Sequence, residues 1–92
     1  MFNKIRVAVR EERYLIGWHA DERCEERGIT DWQLVSGIEG GMLIVQRPHT
    51  LPNPTVVVRQ TLADGTEVDV VWSWMLRSRR AKLVTVYFRG RE

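Results

Sequence analysis

The chain has 92 residues, 43% of them hydrophobic and 28% charged, with four tryptophans, one cysteine and a net charge of +2. That length supplies one hydrophobic core and suits a single domain spanning residues 1–92, and so many large apolar side chains exclude a disordered chain. A lone cysteine excludes a disulfide framework, and charges at Lys4, Arg6, Arg10, Glu11, Glu12 and Arg13 break up any apolar run of the roughly 20 residues needed to span a bilayer, so the expectation is a cytoplasmic protein with no membrane partner.

From the N-terminus, Phe2, Ile5 and Val9 recur at helical spacing, while Ile5, Val7 and Val9 also alternate as in a strand; the helical reading of Phe2–Arg13 is preferred. Tyr14–Trp18 reads either as a short strand or as an extended link. His19–Arg27 has a helix-forming composition, and Gly28 stands where a left-handed C-terminal cap is wanted. Thr30 followed by Gln33 is a capping box that starts a helix at Asp31, with Ile29 and Leu34 as its hydrophobic staple. Trp32, Val35 and Ile38 continue the apolar stripe, and Gly40-Gly41 ends it.

Beyond the glycines the period falls to two, giving strands at Met42–Gln46, Thr55–Leu62, Glu67–Met75 and Leu83–Phe88. Pro48, Pro52 and Pro54 make Arg47–Pro54 a loop. The Asp64-Gly65 pair between two β-branched runs predicts a hairpin with positive φ at Gly65. Val68, Val70, Trp72 and Trp74 form one core face, and Val84, Val86 and Phe88 another. The fold class is therefore α+β, with N-terminal helices packed on a C-terminal antiparallel sheet of about four strands.

The charge is unevenly placed. Residues 1–46 hold six basic and eight acidic side chains, residues 47–92 eight basic and four acidic. Arg77, Arg79, Arg80, Lys82, Arg89 and Arg91 follow one another with no acid between them, and the Arg77–Lys82 loop and the tail read equally as a field that attracts phosphate or as solvated, solubilising charge. On the His19–Arg27 helix, 100° steps place His19, Arg23 and Arg27 within about 80° of arc, beside Ala20 and Cys24, with Asp21 and Glu25 on the far side and Glu22 and Glu26 on the flank next to His19. A histidine beside two arginines is a combination for phosphodiester chemistry: one group to move a proton, two to clamp phosphate. The same stripe serves equally as a non-catalytic surface, or as a structural helix face in which Arg23 pairs with Glu26. Thr85 and Tyr87 share a face of the last strand, where Tyr87 would stack on a base or bond to phosphate; both residues are also ordinary strand formers. The two histidines and Cys24 have no metal-ligand spacing, so neither metal nor cofactor is expected. Any tryptophan found on the surface would indicate a partner interface.

The string His19-Ala20-x-x-Arg23-x-x-x-Arg27-Gly28-Ile29, followed by an apolar helix, a glycine pair, several strands and a terminal Val84-Thr85-Val86-Tyr87, resembles the bacterial family called domain of unknown function 4258. The likeness runs from about Tyr14 to Phe88. That family is in turn similar to small toxins of the BrnT and RelE type, which are helices packed on an antiparallel sheet and cleave RNA. The resemblance thus implies a toxin-like, metal-independent endoribonuclease or RNA-binding protein with a cognate antitoxin-like partner. His19, Arg23, Arg27 and Tyr87 would be its catalytic residues, and Arg77, Arg79, Arg80, Lys82 and Thr85 its further RNA contacts.

Overall fold

A computed structural model describes residues 1–89; Arg91, counted above with the basic run, lies outside them. Chain order is helix α1 (Phe2–Arg10), strand β1 (Tyr14–Ile16), helices α2 (Trp18–Arg27) and α3 (Asp31–Gly37), a 3-10 turn (Ile38–Gly40), then β2 (Met42–Arg47), β3 (Thr55–Thr61), β4 (Glu67–Met75) and β5 (Arg80–Phe88). The class is α+β, as the sequence indicates. Among the described residues no helix is long and apolar enough to cross a membrane.

The helix signals act as expected. Phe2–Arg10 is helical and buries Ile5, Ala8 and Val9. Gly28 closes α2 at φ +72°, its N–H bonding to the Glu25 carbonyl. At the start of α3 the Thr30 N–H donates to Gln33 Oε1 at 2.8 Å, one arm of the capping box. The stripe of α3 is corrected at one end: Val35 and Ile38 are buried, but Trp32 is 66% exposed.

The sheet has five strands in the order β1-β5-β4-β3-β2. Four of them are the antiparallel series read from the sequence. The fifth is β1, which pairs parallel with β5, Tyr14 opposite Ala81 and Ile16 opposite Leu83. Between β3 and β4 the hairpin turns at Gly65, φ +90°, a value that carries steric strain for a residue with a Cβ; the Asp64 carboxylate accepts the Thr66 N–H at 2.9 Å. Val58 then faces Val70, and Gln60 faces Val68.

All helices lie on one face of this sheet. The core between the layers contains Ile5, Ala20, Cys24, Leu34 and Ile38 from the helical side and Val56, Val58, Val70, Trp72, Leu83 and Val86 from the strands. Gly41 lets the chain pass close over β3, since a Cβ there would sit 2.4 Å from Val58 Cγ1. Gln60, only 1% exposed, is satisfied within the core: its Nε2 donates to the Leu34 carbonyl at 2.8 Å, and its Oε1 accepts the Trp72 indole N–H at 3.0 Å.

The core face of β5 is also corrected. The β4–β5 register shifts between Val71 and Trp72, so that Thr85 pairs with Val71 while Leu83 pairs with Trp72, leaving Val84 as the extra residue of a bulge. Ala81, Leu83, Val86 and Phe88 face the core; Val84 is only partly buried. Moreover, β5 begins at Arg80, so Arg80 and Lys82 belong to the strand and the connecting turn shrinks to residues 76–79.

Candidate nucleic-acid interface

β1 covers only the first part of the β5 edge, and α2 takes over where it stops. The Gly17 N–H bonds to the Leu83 carbonyl at 2.8 Å, completing the hand-over. Ala20 and Cys24 then seat α2 on the core, so its neighbouring stripe runs along the strand edge. Arg23, half-buried, donates through Nε to the Val86 carbonyl at 3.3 Å, a backbone group that no neighbouring strand reaches at this edge. One turn on, the Arg27 guanidinium lies 4.6 Å over the Phe88 ring. The helical phase read from the sequence thus becomes a cationic line along β5.

At the head of this line, His19 is exposed and stacks on Trp18 with ring centroids 4.0 Å apart and planes 20° from parallel. Trp18 is 69% exposed, and its indole offers a large apolar surface to solvent. Lys82 reaches the same place from β5: its Cε would lie 3.2 Å from a Cβ built on Gly17, the residue just before Trp18. Trp18 was marked in the sequence only as one tryptophan among four. Its adjacency to the histidine of the stripe was the signal that it belongs here.

The other candidates lie elsewhere. Thr85 and Tyr87 sit on the face of the sheet turned away from the helices, paired with Val71 and Asp69; Tyr87 is 56% exposed. Its neighbourhood is a shallow groove that includes Ile44, Val57 and Val71. Arg59 and Arg89 both bond Asp69 there, at 3.0 and 3.3 Å. Burial pushes the Asp69 carboxyl up, but its bonds to Arg59 and the Arg89 charge outweigh that and hold it below the usual carboxylate range.

Arg79 stands at φ +57° in the β4–β5 turn, with its guanidinium 6.0 Å over the Trp74 ring, and its carbonyl accepts a hydrogen bond from Arg13. Together with Lys4 these residues line a cavity of about 220 Å³, a cationic end to the edge that the sequence did not assign to α1 or to the segment after it. Arg77 points to a separate cavity beside Pro52 and Leu76, and Arg80 opens β5 opposite Met75.

Cys24 plays no part in the interface. Burial and the nearby Asp31 carboxyl push its thiol up to about 12, which keeps it protonated and unreactive. Burial and a hydrogen bond with Asp21 hold Asp31 above the usual carboxylate range in turn. Among the described residues no group of three or more His, Cys, Asp or Glu side chains is placed to hold a metal ion.

Comparison with curated proteins gives no match, and neither does comparison with solved structures. The model of one protein family matches residues 17–88, from the glycine that opens α2 to the phenylalanine under Arg27. That stretch takes in the whole cationic line from Trp18 to Arg27 and all of β2–β5, so the chain belongs to the family DUF4258, a domain of unknown function.

Proposed function

We propose that this protein binds single-stranded RNA along the β5 edge, with Trp18 and His19 as a stacking platform and Lys82, Arg23 and Arg27 as backbone contacts. The observation that carries the reading is the Trp18–His19 stack at the head of the arginine line. Aromatic platforms beside a row of cations suit single strands, because every base has a face to stack and every nucleotide a phosphate to neutralise. Asp21 and Glu25 lie on the other side of α2, while Glu26 flanks Arg27 beside Phe88.

Binding is favoured over cleavage. Metal-free cleavage of RNA needs a base for the ribose hydroxyl and an acid for the leaving oxygen. Among the described residues His19 has no hydrogen-bonded carboxylate to orient it, and Tyr87 is on the opposite face of β5 from the core that seats α2. The toxin-like resemblance therefore supports RNA as the ligand class more than it supports a nuclease.

The test is fluorescence anisotropy with a labelled single-stranded RNA oligonucleotide, followed by gel analysis of the same RNA. Salt-sensitive binding is expected, with the RNA recovered intact and Trp18→Ala weakening the complex by about 1–3 kcal/mol, the usual worth of one base stack. RNA cut by the native protein but not by His19→Ala would replace this reading with the nuclease one. An absence of binding at low salt would remove RNA altogether.

A further inference from the structure

A second site lies on the helical side, away from the β5 edge. Between α1 and α3 a cavity of about 370 Å³ opens, with Val9 and Val35 as its floor and Tyr14 and Trp32 as aromatic walls. Both valines are buried, whereas Trp32 stays largely exposed at the first turn of its helix. Nothing in the core demands a tryptophan there. The rim is formed by Glu12 and Glu39.

The two carboxylates are differently engaged. Glu39 is held by Arg10, whose Nη2 donates to both carboxylate oxygens at 3.1 and 3.2 Å. Glu12 has no ion pair among the described residues, and stands at φ +62° just past the end of α1. That helix end adds its own negative character, since the last carbonyls of a helix carry the negative pole of its dipole. An aromatic wall, an uncommitted carboxylate and a helix C-terminus all favour a cation. A planar guanidinium satisfies all three, stacking on the indole while it forks onto a carboxylate.

We propose that this cleft binds an arginine side chain presented by a basic segment of a partner protein. Residues 1–46, which carry the cleft, are the acidic half of the chain, with eight acids against six basic side chains, and the acids of α2 face solvent, a balance that complements such a partner. Arg10 on Glu39 already shows the chemistry within the molecule, and it competes for one of the two carboxylates. The site is independent of RNA binding at β5.

The experiment is a titration of the native protein, followed by two-dimensional ¹H–¹⁵N NMR, with the peptide acetyl-Gly-Gly-Arg-Gly-Gly-amide and its glutamate counterpart. The arginine peptide should shift the Trp32 indole N–H and the Ser36 and Glu12 amides at millimolar concentrations, and the glutamate peptide should leave them in place. Read from Ser36, Trp32→Ala should weaken binding about tenfold, the scale of a partly desolvated cation–π contact. Glu12→Gln should weaken it severalfold, while Arg10→Ala should tighten it by releasing Glu39. The last result separates the proposal from a merely structural effect, since lost packing would weaken binding. Equal shifts with both peptides, no shift with the arginine peptide, weaker binding in Arg10→Ala, or the same amides answering RNA and not the peptide would each overturn it.

Discussion

Trp72 and Gln60 are joined by a 3.0 Å hydrogen bond in the middle of the core, where the Trp72 side chain is fully buried. Gln60 extends the link to α3 through the Leu34 carbonyl, so one side chain ties two strands to a helix. Replacing it by leucine keeps the bulk but strips both partners. Gln60→Leu should cost about 1–3 kcal/mol for each orphaned polar group. Urea unfolding measures this, and Trp72→Phe in the same chain should recover part of the loss by removing one of the orphans.

Gly41→Ala should destabilise by about 1–3 kcal/mol, the range for overpacking a filled core. The cause is proximity to Val58 and not backbone conformation, since Gly41 has an extended backbone at φ −76°. Val58→Ala on the Gly41→Ala background should therefore restore more stability than a simple sum of the two changes allows. A sum with no such coupling would show that the contact does not limit the packing.

Two carboxyls shape the pH dependence in opposite directions. Asp31 is held up in the folded state by burial and Asp21, so its contribution is present below the unfolded carboxyl value and is lost as pH rises through its raised one. Asp69 is held down by Arg59 and Arg89 against its burial; its contribution is present above the ordinary carboxyl value and is lost as pH falls through the depressed one. Denaturant titrations across the acid range should show stability falling on both sides. Asp31→Asn should flatten the fall on the alkaline side of the carboxyl range, and Asp69→Asn the fall on the acid side.

The RNA reading makes a finer prediction at the two arginines. Among the described residues the Arg27 side chain makes no hydrogen bond or ion pair and lies over the Phe88 ring, so Arg27→Ala should leave the fold intact and reduce the slope of log affinity against log salt by about 0.7, the value for one phosphate contact on a single strand. Arg23→Lys keeps the charge but loses the Nε–H that meets Val86. It should preserve the salt slope while lowering stability, and a changed slope would show that Arg23 does not contact the phosphate chain by charge.

Local signals were the legible part of the sequence. The Thr30–Gln33 box and the Asp64-Gly65 turn act through neighbouring groups, and both appear where the chain places them. Val84 misled because its alternation with Val86 and Phe88 is intact in β5 alone; the bulge arises from how β5 meets β4. Three residues of β1 carry too little pattern to distinguish a strand from a link, and its partner lies at the other end of the chain. Trp32 has the spacing of the α3 stripe, but it occupies the first turn and projects beyond the sheet's cover. In the candidate interface, helical phase brought His19, Arg23 and Arg27 onto one line, whereas the approach of Lys82 depended on α2 lying along β5. Thr85 and Tyr87 share a face, as read, but it is the face that the helices leave open.

The parallel pairing of β1 with β5 also dictates the order in which the molecule can be finished. On the ribosome β1 emerges before the other four strands of this sheet, and the strand it must join emerges after them. The β2–β4 meander has its partners as soon as they are made, but β1 and the α2 segment behind it have no edge to settle on until Ala81–Leu83 has left the exit tunnel. Such long-range closure is slow to find. Until then the apolar side of α2, with Ala20 and Cys24, stays uncovered, which makes the nascent chain short of β5 the form that most needs a chaperone.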